Sequence, residues 1–385
     1  MRIAFLYNHD ATHQVGHSAS IIPALLDQYP GIEITILASS ERLLDEATAI
    51  CGAAAAKKCR IVKLDIPRWH RPFLAAADAL MPLSRIDYLR HNAKLLGSSD
   101  ALIVTERTSL RLKNIATCRH VKLIYISHGS GDRSIGFKAD IGDFDLILLP
   151  GQKLRDRFVA LSNTIGSKIK VVGYAKFDAV SARARPPQKL FAQERPIVLY
   201  NPHFEPKLSS WYDMGLQVLD YFLHSKDYNL IFAPHVMLFR RRFHVSLEWL
   251  AVRFRRDLPQ KYLNVAHMLV DTGSAACTDM TYTRAADIYL GDASSQVYEF
   301  LTKPKPCVHL NSHGAKWQND PNYRFWSLGS VIDNASELEA ALRLAVSGHT
   351  DYRAIQEQAT AETFSSAEAT PSVRAARAIG EFLKC

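Results

Sequence analysis

The chain alternates short runs of consecutive apolar residues with longer stretches whose apolar positions recur every three or four residues. In the first half, "RIAFLYN" (2–8), "IEITILAS" (32–39), "CRIVKLD" (59–65), "DALIVTE" (100–106), "VKLIYISHG" (121–129), "DLILLPG" (145–151) and "IKVVGY" (169–174) predict strands. Val, Ile and Leu in unbroken succession mark strands buried on both faces, as in a parallel sheet covered by helices. A second series follows the polar, proline-containing stretch 181–196: "IVLYNPH" (197–203), "YNLIFAPHV" (228–236), "VAHMLVD" (265–271), "ADIYLGD" (286–292) and "KPCVHLN" (305–311). Helical spacing fills the intervals, as in "SASIIPALLDQYPG" and in 209–224. Ser336 and Glu339 predict a capping box for a helix that stops at Gly348, and another helix begins at Thr370 with Pro371 in its first turn.

This pattern predicts an α/β protein of two doubly wound, Rossmann-like domains facing across a cleft. The boundaries are a first domain over 1–180, a linker over 181–196, a second domain over 197–348 and a helical tail over 349–385. A chain of 385 residues is too long for one ordinary core, which supports the division. Ligands of such sheets gather beyond the carboxyl ends of the strands.

Composition changes this picture little: 48% hydrophobic and 22% charged residues exclude a disordered or fibrous chain. "MRIAFLYNHD" is too short an apolar run for a signal peptide, and no stretch is apolar enough for a membrane-spanning helix, so a cytoplasmic location is expected. Six dispersed cysteines without a C-x-x-C pair or a histidine at zinc spacing predict free thiols and no metal site. The net charge of +9 points to an anionic partner.

The residues that follow strands carry the candidate chemistry. His128, Gly129, Ser130 and Arg133 follow "LIYIS", His235 follows "LIFAP", and Asp292, Ser294 and Ser295 follow "DIYLG". The two serines precede a helical stretch, where unpaired first-turn amides and hydroxyls have the makings of a phosphate cradle. A serine at such a place also routinely does no more than cap the helix. His128 lies in a glycine-flanked turn, and an imidazole there is suited to accept a proton from a hydroxyl at neutral pH.

These residues fall into motifs. "HGSGDRSIG" (128–136), "VVGYAKFD" (171–178), "IVLYNPHF" (197–204), "FAPHV" (232–236) and "GDASSQVYEF" (291–300) resemble, in order, motifs of the CDP-glycerol glycerophosphotransferase family, the teichoic-acid primases and polymerases. That resemblance implies a glycosyltransferase-B (GT-B) fold and a transferase that moves glycerophosphate from CDP-glycerol to an acceptor hydroxyl and releases CMP. It implies His128 as general base, with His235, Arg133, Ser294 and Ser295 on the diphosphate. Gly129, Ser130 and Asp292 complete the substrate site, and Glu299 accepts hydrogen bonds from ribose or glycerol hydroxyls. No metal or cofactor is implied. Gly131, Arg133 and Val236 replace the family's proline, lysine and proline, so a related polyol phosphate donor also fits. The acceptor implied is lipid-linked or a cell-envelope glycan.

Phe239, Phe243, Leu247, Leu250, Phe254 and Leu258 recur at helical spacing among six arginines in 239–258. Such a basic amphipathic helix either lies on an anionic bilayer, at the inner face of the cytoplasmic membrane, or buries its stripe in the core. A second apolar stretch, 68–83, either lines an acceptor groove or packs. Two rival functions remain: a GT-B nucleotide-sugar glycosyltransferase or UDP-GlcNAc 2-epimerase, and a non-catalytic basic protein that binds nucleic acid. The second is disfavoured because no nucleic-acid motif is present.

Overall fold

The computed structural model describes residues 1–9, 11–67, 69–70, 83–133, 137–183, 189–246 and 249–385. The stretch 68–83 and the middle of the expected linker lie largely outside these residues. Two compact units are present: one of residues 1–130, 137–184 and 361–385, the other of 131–136 and 185–360.

In the first unit, β1 (Arg2–Tyr7), β2 (Glu33–Ala38), β3 (Arg60–Lys63), β4 (Ala101–Val104), β5 (Lys122–Ile126), β6 (Leu146–Leu149) and β7 (Ile169–Val171) form a sheet in the order β3-β2-β1-β4-β5-β6-β7. Every pairing is parallel, with Tyr7 opposite Ala38 and Phe5 opposite Ile103. Both faces are buried: Ile3, Phe5 and Tyr7 enter one apolar cluster, Ala4 and Leu6 the other. This two-sided burial is the reason the strands read as unbroken apolar runs.

The second unit repeats the plan. β8 (Ile197–Asn201), β9 (Asn229–Phe232), β12 (Met268–Val270), β13 (Ile288–Gly291), β14 (Cys307–Leu310) and β15 (Ser330–Ile332) form a parallel sheet in the order β12-β9-β8-β13-β14-β15. β15 was not expected from the sequence. The strand order reverses between β8 and β13, the place where doubly wound sheets bind ligands. The last residue of β13 is a glycine, where a Cβ would lie 2.6 Å from the Tyr289 hydroxyl.

The region 349–385, expected as a tail, contributes to both units. Gln356 is buried and donates to the carbonyls of Lys305 and Leu328, fixing the helix His349–Thr363 to the second sheet. The helix Pro371–Leu383 does begin after Thr370 and packs on Ile21–Gln28 of the first unit. Helix Leu338–Ser347 ends at Gly348 as expected, but a short turn, Ala335–Glu337, precedes it. The side-chain bond at this start links Asn334 to Glu337 rather than Ser336 to Glu339.

The amphipathic helix expected over 239–258 does not form. A five-residue helix, Val236–Arg240, is followed by an antiparallel hairpin of β10 (Phe243–Ser246) and β11 (Ala251–Phe254). The same residues also alternate, with Phe243 and Val245 on one strand and Val252 and Phe254 on the other. β-branched and aromatic side chains fit that pleated surface better than a helix. No described helix is long and apolar enough to cross a membrane.

Candidate functional site

The carboxyl ends of β8, β9 and β13 bring together residues distant in sequence. Asp292, just past β13, is buried, and its carboxylate accepts from the backbone N–H of His203 at 2.9 and 3.1 Å. It also accepts from the N–H and hydroxyl of Ser210 at 2.6 and 2.8 Å and from the N–H of Ala293 at 2.6 Å. Burial pushes its carboxyl up to about 6, while these bonds pull the other way. Asp292 therefore acts as a clamp across the switch point, holding the turn after β8 and the start of helix Trp211–His224.

The clamp orients His203. Its Nδ1 accepts from the N–H of Glu205 at 3.1 Å, and its ring lies 5.2 Å from that of His235. His235, after β9, caps the helix Val236–Arg240, with Nδ1 accepting from the N–H of Met237 at 3.2 Å. Because both Nδ1 atoms are acceptors, each neutral ring carries its proton on Nε2, the form that donates to an anionic oxygen. Burial pushes His235 down to about 4. Burial also holds His203 well below the ordinary imidazole value, helped by the charges of His235 and Arg133. The expected positive potential from His235 thus gives way to two neutral N–H donors, with Arg133 as a cation acting on His203.

The loop after β13 differs from a simple cradle. The helix that follows, Gln296–Phe300, is a single turn, and its amides are used internally: Gln296 N–H donates to Ser294 Oγ at 3.3 Å and Tyr298 N–H to the Ser295 carbonyl at 3.1 Å. Ser294 is buried, whereas Ser295 is half-exposed. A Cβ on Gly131 would stand 3.3 Å from that of Ser295, so the glycine lets residues 131–133 lie against this loop. Tyr298 Oη donates to Asp132 Oδ2 at 2.5 Å, and Glu299 is buried one turn into the same helix.

The first unit holds the other histidine. His128, after β5, has Nδ1 at 2.8 Å from the Thr105 carbonyl, which follows β4. A carbonyl only accepts, so Nδ1 carries the proton and the neutral ring presents an unprotonated Nε2. Gly129 has open space on its Cβ side, and the Ser130 carbonyl accepts from the buried Lys153 ammonium at 2.7 Å. Two further histidines line this end of the sheet. His17 sits 6.5 Å from His128 ring to ring, and His9 follows β1; burial holds His17 well below its ordinary value and pushes His9 down to about 3.

His203, His9 and His17 were not singled out from the sequence. The strand-end rule applied to β8 would have reached His203 in "NPHF". Asp178, which closes the "VVGYAKFD" motif, accepts from the Ser372 N–H at 2.7 Å and so ties down the last helix. His70, Asp87 and His91 bring three metal-capable groups within 4.8 Å of one another. His70 Nδ1 lies 2.6 Å and His91 Nδ1 3.2 Å from the two carboxylate oxygens, the spacing of hydrogen-bonded pairs.

Solved structures share this architecture. The fold is GT-B. S. aureus MnaA, in a co-structure with UDP, aligns with a TM-score of 0.62 and 13% identity over 100% of this chain and 97% of its own. The UDP-GlcNAc 2-epimerase from Neisseria meningitidis, bound to UDP-GlcNAc, aligns at 0.57 and 13% over 100% of both chains. The wall teichoic acid polymerase TagF, in a variant soaked with CDPG, aligns at 0.59 and 13% over 100% of this chain and 88% of its own. No family profile and no curated sequence matches the chain. Identities this low speak to the GT-B fold alone.

Proposed function

We propose that this protein is a GT-B transferase that moves glycerophosphate, or a related polyol phosphate, from CDP-glycerol or a similar donor to an acceptor hydroxyl. The acceptor oxygen attacks the β-phosphorus of the diphosphate, the bond from that phosphorus to the bridging oxygen breaks, and CMP leaves with the electron pair. His128 Nε2 takes the acceptor's proton. His203 and His235 donate Nε2–H bonds to the diphosphate, and Arg133 and the Ser295 hydroxyl add charge and a donor. Such transfer depends mainly on positioning and charge stabilisation, which fixed donors provide.

The observation that carries this reading is the Thr105 carbonyl on His128 Nδ1, which leaves a basic nitrogen on the residue that the resemblance implies as general base. The TagF likeness is consistent with it. A UDP-GlcNAc 2-epimerase is the second reading, favoured by the likeness to the Neisseria meningitidis enzyme. Against it stands Asp132, the carboxylate that would serve a base in that loop: it is 1% exposed and bonded to Tyr298 Oη.

Calorimetric titration separates the two. CDP and CMP should bind at least about tenfold tighter than UDP and UMP, a difference of ~1.4 kcal/mol. Equal or reversed base preference sinks the CDP-glycerol assignment, and tight binding of UDP-GlcNAc transfers the case to the epimerase reading.

A further inference from the structure

The β10–β11 hairpin is built inside out. Its polar face is the anchored one: His244 Nε2 lies 3.0 Å from the carbonyls of Leu238 and Arg241, and Arg253 pairs with Asp213 at 3.3 Å. Arg255 is buried, bonded to the carbonyls of Arg241 and Arg256, with its guanidinium 4.5 Å over the Phe239 ring. The apolar face points to solvent. Phe243 and Val252 are each 64% exposed, and Leu250, at the tip beside exposed Trp249, is 89% exposed. Val245 and Phe254 complete that face, and Phe243 and Phe254 are cross-strand partners. A soluble protein has no reason to order a hairpin with this orientation unless something covers it.

Charge identifies the cover. Residues 240–256 contain six arginines and a single acid, Glu248. Arg242 and Arg256, which flank the two strands, are exposed, and Arg242 pairs with the equally exposed Asp257 at 2.6 Å. A second copy seated on this face would bring two like-charged hairpins together, which costs energy, whereas a surface of negative headgroups over an apolar layer matches both features. We infer that the exposed face of β10 and β11 docks on an anionic lipid bilayer, with Trp249 and Leu250 entering the headgroup boundary and the exposed Arg242 and Arg256 pairing with phosphates.

The anchored face of the hairpin, opposite the docking face, adjoins the candidate site in its own unit. The Phe204 ring lies 4.7 Å from His235 and 6.4 Å from His244. Docking through the opposite face tethers the second unit to the surface that carries a lipid-linked acceptor. That consequence rests on the proposed transfer; the docking itself does not.

Co-sedimentation of the full chain with phosphatidylglycerol vesicles, and with phosphatidylcholine vesicles as the neutral arm, tests it without donor or acceptor. Binding to the anionic vesicles is expected at low salt and should fall with added salt. Phe243→Ser with Leu250→Ser should weaken it at least about tenfold, and Arg242→Ala or Arg256→Ala about fivefold each. Thermal midpoints should stay put, because these side chains are exposed. Absence of vesicle binding overturns the inference, as does binding that ignores both sets of substitutions. A solution dimer that Phe243→Ser and Leu250→Ser dissociate would assign the face to a second copy instead. Because lipid binding is read apart from CMP release, loss of one leaves the other interpretable.

Discussion

The two histidine centres differ in one backbone group. In the first unit a carbonyl, that of Thr105, faces Nδ1 of His128; in the second, amides of Glu205 and Met237 face Nδ1 of His203 and His235. The carbonyl leaves Nε2 of the neutral ring bare, which suits His128 to the base role proposed for it. The amides leave Nε2 protonated and make the other two hydrogen-bond donors. One side-chain type thus serves opposite chemistry because the turn after each strand presents either an acceptor or a donor to the ring. The clamp by Asp292 extends the contrast, since it spends a carboxylate on fixing the amide side.

The largest effect that can break this contrast is on rate. His128→Ala should lower CMP release about a thousandfold at saturating donor, within the usual range for a general base, with little change in CMP affinity. His128→Gln should not rescue, because an amide is no base. His235→Ala should instead weaken CDP binding about tenfold or more, and His235→Gln should restore much of it, because an amide still donates. A full rescue at His128 or none at His235 removes the distinction between the two centres.

A smaller effect sharpens it through pH. Burial holds the folded imidazoles below the unfolded value of about 6.5, at about 4 for His235 and about 3 for His9 and His309. The unfolded chain therefore takes up protons first as pH falls. Stability from these groups is complete above about 6.5 and is lost toward 4 and below. Asp292, held up at about 6, gives the opposite slope between its unfolded value of 3.8 and 6. His235→Gln should flatten the acid decline of the urea midpoint relative to the native chain. An unchanged slope would mean that His235 is not held neutral.

Much of the fold was legible because burial on both sheet faces forces continuous apolar runs. β15 was missed, with only three residues and little to distinguish it from a loop. The 239–258 segment misled because its apolar residues satisfy a period near 3.6 and an alternation at once. Val245 and Val252, facing each other across the strands, decided it. At the site, residue types at strand ends were readable, and so was their order. What was not readable is which polar group meets each side chain. Nothing in "GDASSQVYEF" announces that Asp292 would be consumed by Ser210 and the His203 amide, or that the following helix would last one turn. Partners supplied by backbone atoms leave no trace in residue identity.

The measurement closest to the central claim is long-range proton–nitrogen NMR of the imidazole side chains at neutral pH, assigned by single His→Gln substitutions. His128 should show a protonated Nδ1 and a bare Nε2, and His203 and His235 the reverse. A protonated Nε2 on neutral His128, or a bare Nε2 on His235, would contradict the assignment of base and donors to the two units.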